Sequence, residues 1–108
     1  MNEGFPNTLA DPADTERFVL RLFVTGMTPR STRAINAVRA ICEERLRGRY
    51  DLEIIDVYQQ PELIQSEQIV ATPTLIKRGP EPQRRMIGDM SDRVRLLLGL
   101  GLPAEIPA

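Results

Sequence analysis

From Phe18 onward apolar and polar positions are set out in a regular order. Phe18, Leu20, Leu22 and Val24 fall on one side of an extended chain, and Val19, Arg21, Phe23 and Thr25 on the other. A period of two built from β-branched and aromatic residues predicts a strand. The period then changes. Ile35, Val38 and Cys42, flanked by Ala34, Ala37 and Ile41 with Leu46 near the end, form the stripe of an amphipathic helix. Thr28 suits its N-cap and Pro29 its first position, where a missing N–H costs nothing. Arg45 and Arg47 complement the negative end of the helix, and Gly48 is expected to close it. Tyr50 to Val57 reads as a second strand. Strand, helix and strand make a βαβ unit, so the two strands are expected to be parallel with a right-handed crossover.

The second half is built from shorter pieces. Pro61 can start a short helix over Glu62–Ser66. Ile69 to Lys77 reads as a strand interrupted by Pro73, Gly79–Pro82 as a loop, and Arg84 to Gly88 as a strand returning antiparallel. Ser91 is expected to cap a last helix whose Val94, Leu97 and Leu98 share a face, with Gly99 and Gly101 fraying its end. The order is βαβαββα, an α/β class with three layers. Residues 1–16 and 103–108 show no hydrophobic period and are expected to be tails around one domain, 17–102.

Composition narrows the function. A chain of 108 residues holds one domain. A net charge of −1 with interspersed signs argues against a general nucleic-acid binder. No apolar run reaches the ~18 residues of a membrane span, and no signal peptide opens the chain, so a cytoplasmic protein is expected. There is no His and one Cys. Imidazole acid–base catalysis, a CxxC redox pair and a Cys-cluster metal site therefore drop out. Trp is absent and only three Phe and two Tyr are scattered along the chain, which offers no stacking platform for single-stranded nucleic acid. Cys42, on the apolar stripe, reads as a small core hydrophobe. The expectation is a protein that is not an enzyme and needs no cofactor or metal.

Five segments, in order, resemble one family. Ala71-Thr72-Pro73-Thr74-Leu75 resembles the cis-proline segment of the thioredoxin superfamily, and the element order is that of the thioredoxin fold. Leu20-Arg21-Leu22-Phe23-Val24-Thr25-Gly26 with Thr28-Pro29, Ile55-Asp56-Val57, the Ala71–Leu75 segment, and Arg84-Arg85-Met86-Ile87-Gly88-Asp89 with Ser91 are similar to segments of the KaiB clock proteins, from about Phe18 to Leu102. The resemblance implies a partner that is a KaiC-type ring ATPase, and a sensor histidine kinase competing for the same site. It also implies a metamorphic second half, either thioredoxin-like and monomeric or in a ground-state packing that forms a homo-tetramer or dimer. Glu53 stands where family members often carry a lysine in the strand that meets KaiA, so KaiA is not carried over to this chain. Gly99-Leu100-Gly101 stands where many members have Gly-Leu-Asp.

Several positions are candidates for these roles. Arg33, Gln60, Pro61, Lys77, Arg84 and Arg85 are candidate partner-binding residues. Arg30 and Arg33 lie near the helix N-terminus, where cations oppose the helix dipole, a placement that an acidic partner surface would explain. Pro73, Pro80, Pro82, Gly99 and Gly101 are candidates for positions tied to a fold switch, because short elements broken by prolines suit two packings of similar energy. Gln68–Ala71 could extend a helix or begin a strand. The thioredoxin-like form is expected to be substantially populated. Two alternatives stand beside this reading: a stand-alone thioredoxin-like sensor or adaptor module, and a glutathione-binding protein on the same scaffold.

Overall fold

A computed structural model describes residues 16–103; the expected tails lie outside the described residues apart from Glu16 and Pro103. The elements are β1 (Phe18–Val24), α1 (Pro29–Arg45), β2 (Tyr50–Asp56), α2 (Glu62–Ser66), β3 (Thr74–Gly79), β4 (Arg84–Ile87) and α3 (Arg93–Gly99). They form a four-stranded sheet of order β2-β1-β3-β4. β1 and β2 are parallel in unbroken register from Phe18 opposite Tyr50 to Val24 opposite Asp56. β3 runs antiparallel to β1, and β4 antiparallel to β3 from Thr74 opposite Ile87 to Lys77 opposite Arg84.

The alternation in β1 decides the layers. Phe18, Leu20, Leu22 and Val24 meet Ala34, Val38, Ile41, Cys42 and Leu46 of α1 and its end, together with Leu96, Leu97, Leu100 and Leu102 around α3. On the other face Phe23 packs with Ile55, Val57, Ile69 and Ile76, and Leu63 of α2 leans on this smaller cluster. Helices therefore cover both faces, in the three-layer thioredoxin-like arrangement. Buried along one whole face and at Phe23 on the other, β1 is the spine. Truncating fully buried Leu22 to alanine would cost about 2–5 kcal/mol.

Where structure and pattern differ, local chemistry explains it. β3 begins at Thr74 rather than Ile69. Gln68 takes a φ of 55°, Pro73 has no N–H to give a ladder, and the Thr74 hydroxyl turns back to donate to Ala71 O. α1 ends at Arg45 with Leu46 as its C-cap, so Gly48 and Arg47 lie beyond the helix. Asp92, not Ser91, caps α3: Asp92 Oδ1 accepts from Arg95 N at 3.2 Å, while Ser91 N donates to Asp89 Oδ1 at 2.9 Å. On α3 the buried pair is Leu96 and Leu97, whereas Val94 and Leu98 are 48% and 57% exposed.

The two glycines near the end of α3 do not fray it. Gly99 is its last residue and lies so close to β4 that an added Cβ would meet Met86 Sδ at 2.1 Å. Gly101 takes φ +77°. Its N–H donates to Leu98 O at 3.0 Å and that of Leu102 to Leu97 O at 2.8 Å, the paired bonds of a Schellman cap. The glycine at this left-handed position ends the helix cleanly.

Candidate partner-binding surface

The end of the sheet where β1 and β2 finish is a frame of hydrogen bonds. Thr28 caps α1, its Oγ1 accepting from Ser31 N at 3.1 Å. Ser31 Oγ accepts from Thr25 N at 3.2 Å and donates to Thr25 O at 3.3 Å, which ties the strand end to the helix start. One carboxylate oxygen, Asp56 Oδ1, accepts from Gly26 N at 3.1 Å and from Tyr58 N at 2.9 Å, stitching the loop after β1 to the loop after β2. The third loop joins through the Thr25 and Thr72 hydroxyls, which are hydrogen-bonded to each other. The Thr72–Pro73 bond is cis, as the resemblance implied; Gly79–Pro80 and Glu81–Pro82 are cis as well.

Three large apolar side chains stand out from this frame: Met27 is 85% exposed, Val70 80% and Tyr58 73%. The Tyr58 ring lies over Gly26, close enough that a Cβ there would be 3.7 Å from Cδ2. Val70 borders a hollow lined by Val57, Ile64, Ile69, Ala71 and Thr72. An isolated exposed hydrophobe needs no explanation, but three at one end of a small domain make that end the candidate interaction surface. Met27 and Tyr58 lie in loops outside any period, and Val70, within the stretch expected to be a strand from Ile69, lies in the segment before β3 instead. The available signal was a Met, a Tyr and a Val in segments otherwise rich in turn residues.

No redox chemistry stands at this end. Where thioredoxins carry thiols, between β1 and α1, this chain has Gly26-Met27-Thr28-Pro29. Cys42 is buried in the middle of α1. Burial first, then the nearby Glu43 charge, pushes its thiol up to about 12, so it is neither reachable nor ionised at neutral pH. Among the described residues no cluster of carboxylates and thiols could hold a metal ion.

The candidate residues divide. Arg33 is exposed near the start of α1, and Gln60 and Pro61 are exposed at the entry to α2; all three belong to elements that begin at the apolar end. Arg84 and Arg85 do not. Arg84 pairs with Lys77 and Lys77 with Leu20, which places Arg84 toward the opposite end of the sheet, while Arg85, opposite Ile76 and through it Arg21, stands at mid-sheet. Arg84 is exposed. Arg85 is already engaged: its guanidinium donates to Glu67 O at 2.9 Å and Gln68 O at 3.0 Å, where cations suit the carbonyls ending a helix. Lys77 corrects the expectation of an exposed cation outright. It is 3% exposed, its Nζ 3.4 Å from Leu100 O and 5.7 Å from the Phe18 ring centroid, because the C-terminal turn of α3 closes over it.

The helix-start cations also have an internal counter-charge. The Ser91 backbone N–H and side chain hold the Asp89 carboxyl below the usual carboxylate range, and Arg33 and Arg30 add to the effect.

A network on the α2 side secures the second half. Glu67 pairs with Arg78 and, at 3.4 Å, with Arg21, which also meets Glu53 at 3.2 Å. With Arg85 on the backbone beside it, the corner after α2 is held from β1, β3 and β4.

Comparison with known proteins places the chain. The KaiB domain model matches residues 21–102. The chain belongs to the KaiB family. It is 49% identical over 90 residues to the circadian clock oscillator protein KaiB of Prochlorococcus marinus strain MIT 9312, covering 83% of this chain and 86% of that one. It is also 49% identical over 92 residues to circadian clock protein KaiB3 of Synechocystis, covering 85% and 90%. Among solved structures this KaiB-family chain is similar to the N-terminal domain of Synechococcus elongatus SasA, with TM-score 0.65, 28% identity, and coverage of 91% and 96%. Mitochondrial thioredoxin 3 of Saccharomyces cerevisiae, with TM-score 0.64 at 12% identity and coverage of 82% and 81%, shares the fold.

Proposed function

We propose that this KaiB-family protein works as an adaptor without chemistry of its own. It docks on a KaiC-type ring ATPase and regulates that ring's assembly and phosphorylation state. The observation that carries the reading is the trio Met27, Tyr58 and Val70, held out from a hydrogen-bonded frame that contains no thiol. Burying side chains of this size in a partner is worth about 1.5–3 kcal/mol each before the costs of association. Membership of the KaiB family supports the choice of partner. The likeness to the SasA domain supports a second contender, a sensor histidine kinase whose domain of the same shape would compete for one site. KaiA is left out, since Glu53 is an acid tied to Arg21.

The second half is read as changing fold, monomeric in the thioredoxin-like arrangement and tetrameric or dimeric in the other. Its short, proline-broken elements support that reading. The protein would act in the cytoplasm; no helix among the described residues is long and apolar enough to cross a membrane. A stand-alone adaptor that keeps the thioredoxin-like arrangement throughout is the second reading, favoured by the closed Schellman cap on α3. A single monomeric species on a sizing column with uniform amide exchange would select it.

The test is retention of the KaiC-type ATPase from the same genome on immobilised protein, with and without nucleotide. Wild-type protein is expected to hold the ring, and Tyr58→Asp and Val70→Asp to lose it at unchanged circular dichroism. A ring that never binds wild type removes the function. A ring that binds both variants as well as wild type removes the surface.

A further inference from the structure

Of the fourteen Lys and Arg residues in this chain, thirteen are arginine and one is lysine. That one is Lys77, and it is buried. The distinction matters because a guanidinium does not give up its proton in proteins, whereas a lysine ammonium does so readily when water is taken away. The single basic side chain able to become neutral is thus also enclosed by the fold.

The surroundings of Lys77 suit an amine better than an ammonium. An ammonium has three N–H donors. Among the described residues Nζ has one acceptor, Leu100 O at 3.4 Å; the Phe18 ring centroid at 5.7 Å favours the charged form but supplies no acceptor for the remaining N–H groups. No ion pair involves it among the described residues. Among the described residues the charged groups around it are Arg84, its register partner on β4, Glu81 in the β3–β4 loop and Glu16 just before β1. Burial foremost, then Arg84, holds the ammonium below the usual lysine range, and the two glutamates pull weakly the other way. Leu100 is the C-cap of α3, and an added Cβ on Gly101 would be 3.4 Å from Nζ. Whatever happens at this nitrogen is felt by the cap that ends the helix.

We propose that Lys77 is a proton-operated latch on the C-terminal turn of α3: the neutral amine keeps an N–H donor for Leu100 O and stays enclosed, whereas the ammonium gains by hydration when the turn lifts away. The open form binds the proton more strongly than the closed form. Between the closed-state pKa and the ordinary lysine value of ~10.4, closure therefore strengthens as pH rises, and acidification through that window favours opening. Below the window the effect is constant. The inference holds whatever partner the apolar end binds.

Full-length protein labelled with carbon-13 and nitrogen-15 lysine gives one side-chain signal, so the titration is read without assignment. We expect its midpoint below that of free lysine. In parallel, exchange of the Leu100, Gly101 and Leu102 amides, corrected for intrinsic rates, should show an opening constant that falls by up to ~10-fold per pH unit inside the window. Lys77→Met, which keeps the length and removes the titration, should show no such slope. A lysine signal that titrates at or above the free value overturns the proposal, and it is read on wild type even if the variant fails to fold. An equal pH slope in Lys77→Met overturns it too.

Discussion

Replacing Gly101 by alanine tests whether the cap on α3 is a structural element or a frayed end. At φ +77° any Cβ crowds the following carbonyl, which costs about 1–2 kcal/mol. Alanine restricts the unfolded chain and returns about 0.4–1 kcal/mol. The nearest neighbour of the new Cβ is the flexible end of Lys77, at 3.4 Å, which adds little. The net loss is roughly 1 kcal/mol, or about 4–8 °C in melting temperature for a domain of this size. If the left-handed backbone is the cause, Gly101→Asn should fall between the two, because asparagine enters this region more easily. Gly79→Ala is the control: nothing lies within 4 Å of its Cβ position and its φ is ordinary, so its melting temperature should hold or rise. The assay is thermal unfolding by circular dichroism, with amide exchange at Leu102 as a local report. A Gly101→Ala protein that melts at or above wild type, with Leu102 equally protected, would refute the cap.

Two further predictions follow from the core and the α2 side. Glu67→Ala strips Arg78 of its carboxylate and leaves Arg21 only Glu53. With both guanidiniums partly exposed, the expected loss is about 1 kcal/mol, read from the urea midpoint and shrinking in high salt; a loss that salt does not change would point to packing instead. Cys42, with its thiol near 12, should resist a disulfide-exchange reagent at pH 8 in the native state and react fully once unfolded. Rapid stoichiometric labelling of native protein would contradict its burial.

The first half of the chain was written plainly. β1 and α1 each carry a period that survives on its own, so Phe18–Val24 and the Ala34–Cys42 stripe could be placed without knowing what covers them. Thr28 and Pro29 marked the start of α1 because capping is local. The family was legible too, since its segments are short, ordered words in the chain. The Val94–Leu98 face was misread because an i, i+3, i+4 set does not say which edge of the stripe the sheet will cover. The surface trio was invisible because Met27, Tyr58 and Val70 stand far apart in sequence, and only the fold brings their three loops to one end of the sheet.

Local sequence alone thus determined the strand and helix periods, the cap at Thr28 and the lack of catalytic imidazole or paired thiols, since each depends on nearby residues or on counting. The tertiary structure decided the fate of the charges. Lys77 and Arg85 read alike in a string of polar positions, yet one is closed in beneath α3 and the other is spent on the Glu67 and Gln68 carbonyls. Burial and partnership are set by what the chain folds back upon, and no period along the sequence carries that information.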